Sequence, residues 1–173
     1  MLTESLESFA KYREQQFAAA GGYSDFDAEI GKRLRQLQWL LNRARTLQLE
    51  IIESIKGGGL EDLDVAALDE LEITTECFYF YSGRLTELFK HSQSFVKIPR
   101  SRAEMIRHRL LQHPEKQGER SKSFLLFSVG TTESGPIIKG YDGPDGAQDD
   151  AGLFVNAKEF DRKVAQVISK ALT

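Results

Sequence analysis

The segment from Ser101 to Pro114, here called the motif segment, concentrates side chains that can act on a phosphate. An arginine stays charged, and its planar guanidinium can donate to two phosphate oxygens at once. A histidine has an unperturbed pKa near neutrality and can therefore both accept and donate a proton. The motif segment contains Arg102, Arg107, His108, Arg109 and His113. From the residue types alone, the segment is either a site that binds phosphate or an exposed basic helix that only keeps the fold solvated.

The motif segment is predicted to be a helix. Ser101 and Glu104 have the spacing of a capping box, and Pro114 cannot continue a helix. Ideal helical geometry places Arg107 and His113 about 9 Å apart along the axis and roughly 120° apart around it. The two side chains would then flank one face, pointing into a groove between helices or towards a second copy of the same helix.

This helix contains Arg107-His108 and, after four further residues, His113. The pattern resembles the motif of the HEPN-fold ribonucleases, which consists of an arginine and a histidine separated by four to six residues. The resemblance covers about residues 1–116 and implies an all-α bundle with two long central helices. It also implies metal-independent RNA cleavage in a defence or toxin–antitoxin setting, carried out by a homodimer. The implied roles are charge stabilisation for Arg107, acid or base catalysis for His113, and support of the site for His108. From their charge alone, Arg102 and Arg109 are expected to bind the RNA backbone.

Other interpretations of the same residues stay open. A histidine just before a helix-ending proline can serve a structural role, because its cationic form stabilises the C-terminal end of the helix dipole. Many HEPN-fold proteins do not catalyse a reaction. The alternatives are therefore a non-catalytic helical module that binds a protein partner, or an unrelated helical domain, and the enzyme assignment, an endoribonuclease, stays uncertain.

Neither a metal nor a cofactor is expected. Cys77 is the only cysteine, so the chain can form no internal disulfide and no cysteine-based zinc site, and a buried thiol is the favoured interpretation. The acidic loop that contains Asp142, Asp145, Asp149 and Asp150 does not have the spacing of an EF-hand, and is interpreted as a solvated loop.

The charge is distributed unevenly along the chain. The net charge is −3, but eight Lys or Arg and three Glu lie between Lys97 and Lys122, so this stretch carries +5 and the remainder −8. A local basic segment on an acidic protein can still bind phosphate. The sequence has no apolar run of about 18 residues and no secretory signal pattern at Met1, so we expect a cytoplasmic protein without a membrane partner.

Helical patterns dominate the elements around the motif segment. A first helix is predicted over about 3–20 and ends at Gly21-Gly22. A second begins after Ser24, ends at the glycines 57–59, and carries an apolar stripe formed by Ile30, Leu34, Leu37, Leu41, Ala44, Ile51 and Ile55. The motif segment is followed by two predicted short strands, 123–129 and 136–139, joined by a turn at 130–135. A third strand is predicted at 153–155, and a last helix is expected to begin with Asn156 as its cap.

A third helix is predicted over about 61–91, and it is aromatic on all sides between Cys77 and Tyr81. Such a belt indicates either deep burial or a second surface covered by a partner, such as the seam of a homodimer. The predicted fold is mainly α: an antiparallel helical bundle, HEPN-like, with a small C-terminal β-hairpin and a final helix. One domain is expected, with the bundle over 1–116, the hairpin and acidic loop over 117–155, and the last helix over 156–173.

Overall fold

The chain is mainly α-helical with one β-hairpin, as predicted. A computed structural model describes residues 1–22, 24–92, 95–101, 103–104, 127–133, 135–140 and 152–172. Its helices are α1 (Thr3–Ala20), α2 (Asp25–Gly58), α3 (Val65–His91) and α4 (Gly152–Lys170), with a 3-10 turn at Gly59–Asp62. Strands β1 (Phe127–Thr132) and β2 (Gly135–Gly140) form the hairpin.

The ends of α1 and α2 follow from local sequence signals. Gly21 adopts the left-handed conformation, with φ of 69°, and its backbone N–H donates to the carbonyl of Phe17, which ends α1. Ser24 starts α2 through a capping box, because its hydroxyl accepts from the N–H of Asp27 while the Asp27 carboxylate accepts from the N–H of Ser24. The predicted bounds of both helices are confirmed.

α2 and α3 form the most extensive helix pair of the described residues. Every member of the stripe predicted on α2 is buried, and Leu47 is buried too, so the stripe continues without a gap between Ala44 and Ile51. α3 begins later than predicted, because the 3-10 turn comes first and Asp64 then acts as the cap. The Asp64 carboxylate accepts from the N–H of Ala67 at 2.9 Å.

The start of α4 differs from the prediction. Residues 153–155 do not form a strand, since α4 begins at Gly152, and Asn156 lies inside the helix rather than capping it. Leu153, Ala157, Phe160 and Val164 recur at helical spacing and are all buried. The side-chain amide of Asn156 is also buried and donates to the Tyr79 hydroxyl at 3.1 Å, which joins α4 to α3.

A buried carboxylate on α4 holds the first turn of α1. Leu2, at the N-cap of α1, provides no side-chain cap. Asp161 takes its place: one carboxylate oxygen accepts from the N–H of Glu4 at 3.0 Å, and the other from the N–H of Ser5 at 2.8 Å and from the Ser5 hydroxyl. α4, which lies outside the HEPN resemblance, is thereby packed directly on α1.

A glycine in α2 allows α1 to approach closely. A Cβ atom at Gly31 would lie 2.6 Å from Cε1 of Phe9, well inside van der Waals contact. Both Phe9 and Gly31 are buried, so the ring has little room to move. The absence of a side chain at this position therefore sets the packing of α1 on α2.

The hairpin has a tighter turn than predicted. β1 and β2 pair antiparallel, with Thr132 opposite Gly135 and Val129 opposite Ile138, so most of the predicted connection belongs to the strands. Val129 and Ile138 are partly buried against the core, and β2 contacts α2 and α4. None of the helices in the described ranges is long and apolar enough to cross a bilayer.

Candidate functional site

The chain that leads into the motif segment is anchored in the core. The Phe95 ring lies 4.7 Å from the Tyr12 ring and 5.0 Å from the Phe89 ring, measured between centroids. Ile98 is buried as well. These contacts join the segment that precedes Ser101 to both α1 and α3.

The predicted start of the motif helix is confirmed at its first residues. The Ser101 hydroxyl accepts from the N–H of Glu104 at 3.2 Å, and Ala103 and Glu104 are helical. Ser101 and Ala103 are both buried. Ser101 and Ala103 therefore hold the described beginning of the motif segment against the core.

The candidate chemical groups lie outside the described residues. This applies to every member of the predicted site: Arg102, Arg107, His108, Arg109 and His113. It also applies to the acidic loop with Asp142, Asp145, Asp149 and Asp150. Whether Arg107 and His113 share a cleft therefore stays a prediction from helical spacing.

Two basic side chains of α4, Arg162 and Lys163, which the sequence interpretation missed, lie beside the start of the motif segment. The Lys163 ammonium on α4 donates to the Arg100 carbonyl at 2.5 Å and pairs with Glu159 at 2.6 Å. Arg162, next to Lys163, is exposed, as are Lys97 and Arg100. The i,i+4 pair of Glu159 and Lys163 is visible in the sequence, but its position next to Arg100 depends on the packing of α4. These cations could contribute to phosphate binding.

The aromatic belt of α3 is partly core and partly surface. Phe78 and Tyr79 are buried, whereas Phe80 is 43% exposed. Tyr81 is half-buried, and the guanidinium of Arg33 lies 5.2 Å from its ring centroid. Cys77, expected to be buried, is half-buried. Deep burial therefore explains Phe78 and Tyr79, while coverage of the exposed Phe80 by a partner stays a prediction.

Ionisable groups on α3 influence one another. Glu70 accepts two hydrogen bonds of 2.7 Å from Arg43 on α2, which lower the pKa of the Glu70 carboxyl and raise that of the guanidinium. Burial raises the pKa of Glu72, and repulsion from Asp69 and Glu76 adds to this effect. Among the described residues, no group of three His, Cys, Asp or Glu side chains is arranged to hold a metal ion.

A groove of about 430 Å³ lies between α1 and α4. Its lining is mostly polar and charged, and consists of Glu4, Glu7, Ser8, Lys11, Ala165, Gln166, Ser169 and Lys170. Ligand pockets are typically more apolar and more enclosed than a cleft lined by surface lysines and glutamates. The groove therefore provides no second candidate site.

Comparisons with protein-family models, with curated proteins and with solved structures found no match to this chain. The fold class therefore rests on the helices and the hairpin that the structure describes. The described structure supplies a mainly α-helical bundle with a small hairpin, and the HEPN-like interpretation stays a prediction from the motif segment.

Proposed function

We propose that this protein is a HEPN-like RNA-binding protein that cleaves RNA without a metal ion, in a defence or toxin–antitoxin setting. The observation that supports the proposal is the buried start of the motif helix, where Ser101 caps Glu104 and Ala103 packs into the core. A catalytic arginine and histidine require a helix whose position and rotation are fixed. By helical spacing from Ala103, the predicted helix would carry Arg107 and His113 on either side of its buried face.

In the proposed reaction the 2′-hydroxyl oxygen of RNA attacks the adjacent phosphorus, and the bond from phosphorus to the 5′-oxygen breaks. The products are a 2′,3′-cyclic phosphate and a 5′-hydroxyl. Arg107 stabilises the charge on the pentacoordinate phosphorus, and His113 takes or supplies the transferred proton. His108 supports these two groups, while Arg102 and Arg109 bind the flanking phosphates. A homodimer brings two copies of the motif together.

The proposal is tested by incubating the purified chain with mixed RNA in EDTA. His113→Ala and Arg107→Ala should each reduce the cleavage rate by about 100-fold or more, the usual scale for loss of an acid–base group or a charge-stabilising donor. The matched controls are His91→Ala and Arg45→Ala, because both side chains are exposed on other helices. The controls should cleave at the wild-type rate, and every variant should keep the wild-type melting temperature.

Cleavage that produces 2′,3′-cyclic phosphate ends and is lost only in the two motif variants would support the assignment. Cleavage that persists in both motif variants would indicate a contaminating nuclease. If the wild-type chain binds RNA but does not cleave it, the catalytic part of the proposal is wrong.

The alternative function is a non-catalytic protein-interaction module. A specific observation favours it, namely the large apolar side chains that Trp39, Ile73 and Phe80 expose on α2 and α3. Exposed aromatic residues of this kind are typical of protein interfaces. This function predicts that RNA is neither bound nor cleaved, and that substitutions at these three positions abolish partner binding.

A further inference from the structure

One side of the α2–α3 pair exposes apolar residues in the middle of charged ones. Trp39 on α2 is 63% exposed, and Ile73 and Phe80 on α3 are 60% and 43% exposed. Ile73 and Phe80 are seven residues apart and therefore lie on one helix face, opposite the buried Leu71 and Phe78. We call the surface formed by Trp39, Ile73 and Phe80 the outer face.

Two contacts between α2 and α3 set the alignment of this surface. Arg43 binds Glu70, and Arg33 lies over the Tyr81 ring, so the antiparallel helices are in register at two points. Trp39 is four residues before Arg43, and Thr74, the neighbour of Ile73, is four residues after Glu70. Trp39 and Ile73 therefore stand at the same height on adjacent helices, and we call this pair of exposed side chains the apolar centre.

The charges around this centre differ in sign between the two helices. On α2, the exposed Arg35 and Lys32 lie one and two turns before Trp39, respectively. On α3, the exposed Asp69 and Glu76 flank Ile73. Around this centre the outer face thus has a basic row on α2, formed by Lys32 and Arg35, and an acidic row on α3, formed by Asp69 and Glu76. Farther along, Lys32 also pairs with Glu29, and the exposed Arg84 follows Phe80 on α3.

We propose that the outer face binds a second copy of this chain across a two-fold axis that runs parallel to the helices. Such an axis places α2 of each copy on α3 of the other, antiparallel and at the same height. Each Trp39 then packs on Ile73 and Phe80 of the second copy, and each Arg35 faces Glu76. Arg35 and Glu76 are the oppositely charged pair that this arrangement brings together, because Lys32 stands near the height of Phe80 and Asp69 near that of Arg43.

Self-complementarity is the reason for choosing a second copy as the occupant. A two-fold interface uses the same patch on both subunits, so the patch must match its own rotated image in shape and charge. The outer face meets this condition for charge, since the opposite signs lie on either side of the apolar centre. Tryptophan and arginine are also the side chains that most often dominate the binding energy of an interface.

This inference rests on the proposed function only in the expectation of a homodimer, and it adds the surface that forms it. The two can fail separately. A dimer that does not cleave RNA contradicts only the RNA chemistry, whereas a monomer that cleaves RNA contradicts only this interface.

The test is sedimentation equilibrium of the full chain and its variants over a range of concentrations. The wild type should be a dimer, and Trp39→Asp should raise the dimer dissociation constant by at least about 30-fold, as expected for loss of a central aromatic anchor. The matched control is Leu49→Asp, because Leu49 is also on α2 and is 57% exposed, but lies well away from Ile73 and Phe80. It should dimerise like the wild type. Far-UV circular dichroism and the melting temperature verify that both variants fold.

Charge reversal gives a second, independent measurement. Arg35→Glu alone and Glu76→Arg alone should each raise the dissociation constant about 10-fold or more, because each places like charges opposite one another. The double variant restores opposite charges and should dimerise nearly as well as the wild type. This recovery is specific to the proposed arrangement, since general destabilisation would make the double variant the weakest.

Three results would overturn the proposal. The first is a wild-type chain that stays monomeric at every concentration, which would leave the outer face to a different protein. The second is equal loss of dimer in Trp39→Asp and Leu49→Asp. The third is a charge-reversed double variant that fails to recover.

Discussion

Replacing Asp161 by alanine should destabilise the protein far more than removing an ordinary surface carboxylate. The substitution leaves the backbone N–H groups of Glu4 and Ser5, together with the Ser5 hydroxyl, without their acceptor at a buried helix end. Loss of a helix cap typically costs about 1 kcal/mol, and a buried unsatisfied donor costs about 1–3 kcal/mol. These contributions overlap, so the expected loss of unfolding free energy is about 3 kcal/mol.

Asp161→Asn provides a graded comparison. The amide keeps one oxygen as an acceptor but turns an NH₂ group towards one of the donors, and it removes the negative charge from the N-terminal end of the α1 dipole. Asp161→Asn should therefore lower the unfolding free energy by about 2 kcal/mol, which is less than Asp161→Ala. The control is Glu14→Ala, an exposed site on α1 where a change within about 0.5 kcal/mol is expected.

Urea denaturation followed by far-UV circular dichroism measures these free energies, and native-state hydrogen exchange localises the effect. The amides of Glu4 and Ser5 should exchange much faster in Asp161→Ala, whereas those in the middle of α2 should change only through global stability. The cap assignment would be refuted if Asp161→Ala and Glu14→Ala unfolded at the same urea concentration.

Three further predictions follow from the packing and electrostatics. Gly31→Ala should lower the unfolding free energy by about 1–3 kcal/mol despite the better helix propensity of alanine, and pairing it with Phe9→Leu should recover part of the loss, as measured by a double-mutant cycle. Glu72→Gln should raise the melting temperature at neutral pH, because burial and neighbouring carboxylates raise the Glu72 pKa and so disfavour its charged form. The gain in melting temperature should shrink as the pH falls, and it should vanish below 4.5, the ordinary pKa of a glutamate. Asn156→Ala should lower the unfolding free energy by about 1–3 kcal/mol in chemical denaturation, because it removes the buried hydrogen bond to the Tyr79 hydroxyl. A double-mutant cycle with Tyr79→Phe should give a clear coupling energy, since both substitutions remove the same bond.

The sequence predicts the helices best where the signals are local. Ser24 with Asp27 and Gly21 after α1 specify helix ends through contacts within a few residues, and both ends were predicted correctly. The apolar stripe of α2 predicted its buried face for the same reason, since periodicity is a local property.

The failures arise where a distant residue determines the role of a side chain. Asparagine is a residue type that often caps helices, but Asn156 lies inside α4 and donates to Tyr79 on another helix. α4 begins four residues earlier, at Gly152. Asp161 shows no cap signal in the sequence, because it caps α1 from a different helix. The motif segment was predicted from residue types and spacing, and only its Ser101 start is confirmed, since the arginines and histidines lie outside the described residues.

The hydrogen bond between Ser5 and Asp161 joins residues that are 156 positions apart in the chain. During synthesis α1 leaves the ribosome before α2, α3 and α4, but its capping partner is made only when α4 has been translated. α2 and α3 are joined by a single 3-10 turn and can pack on each other before α4 is made. Their contacts are nearer in sequence, so forming them costs less loop-closure entropy. α1 is therefore made before the other three helices but completed after them, because its first turn has no buried acceptor until Asp161 is in place.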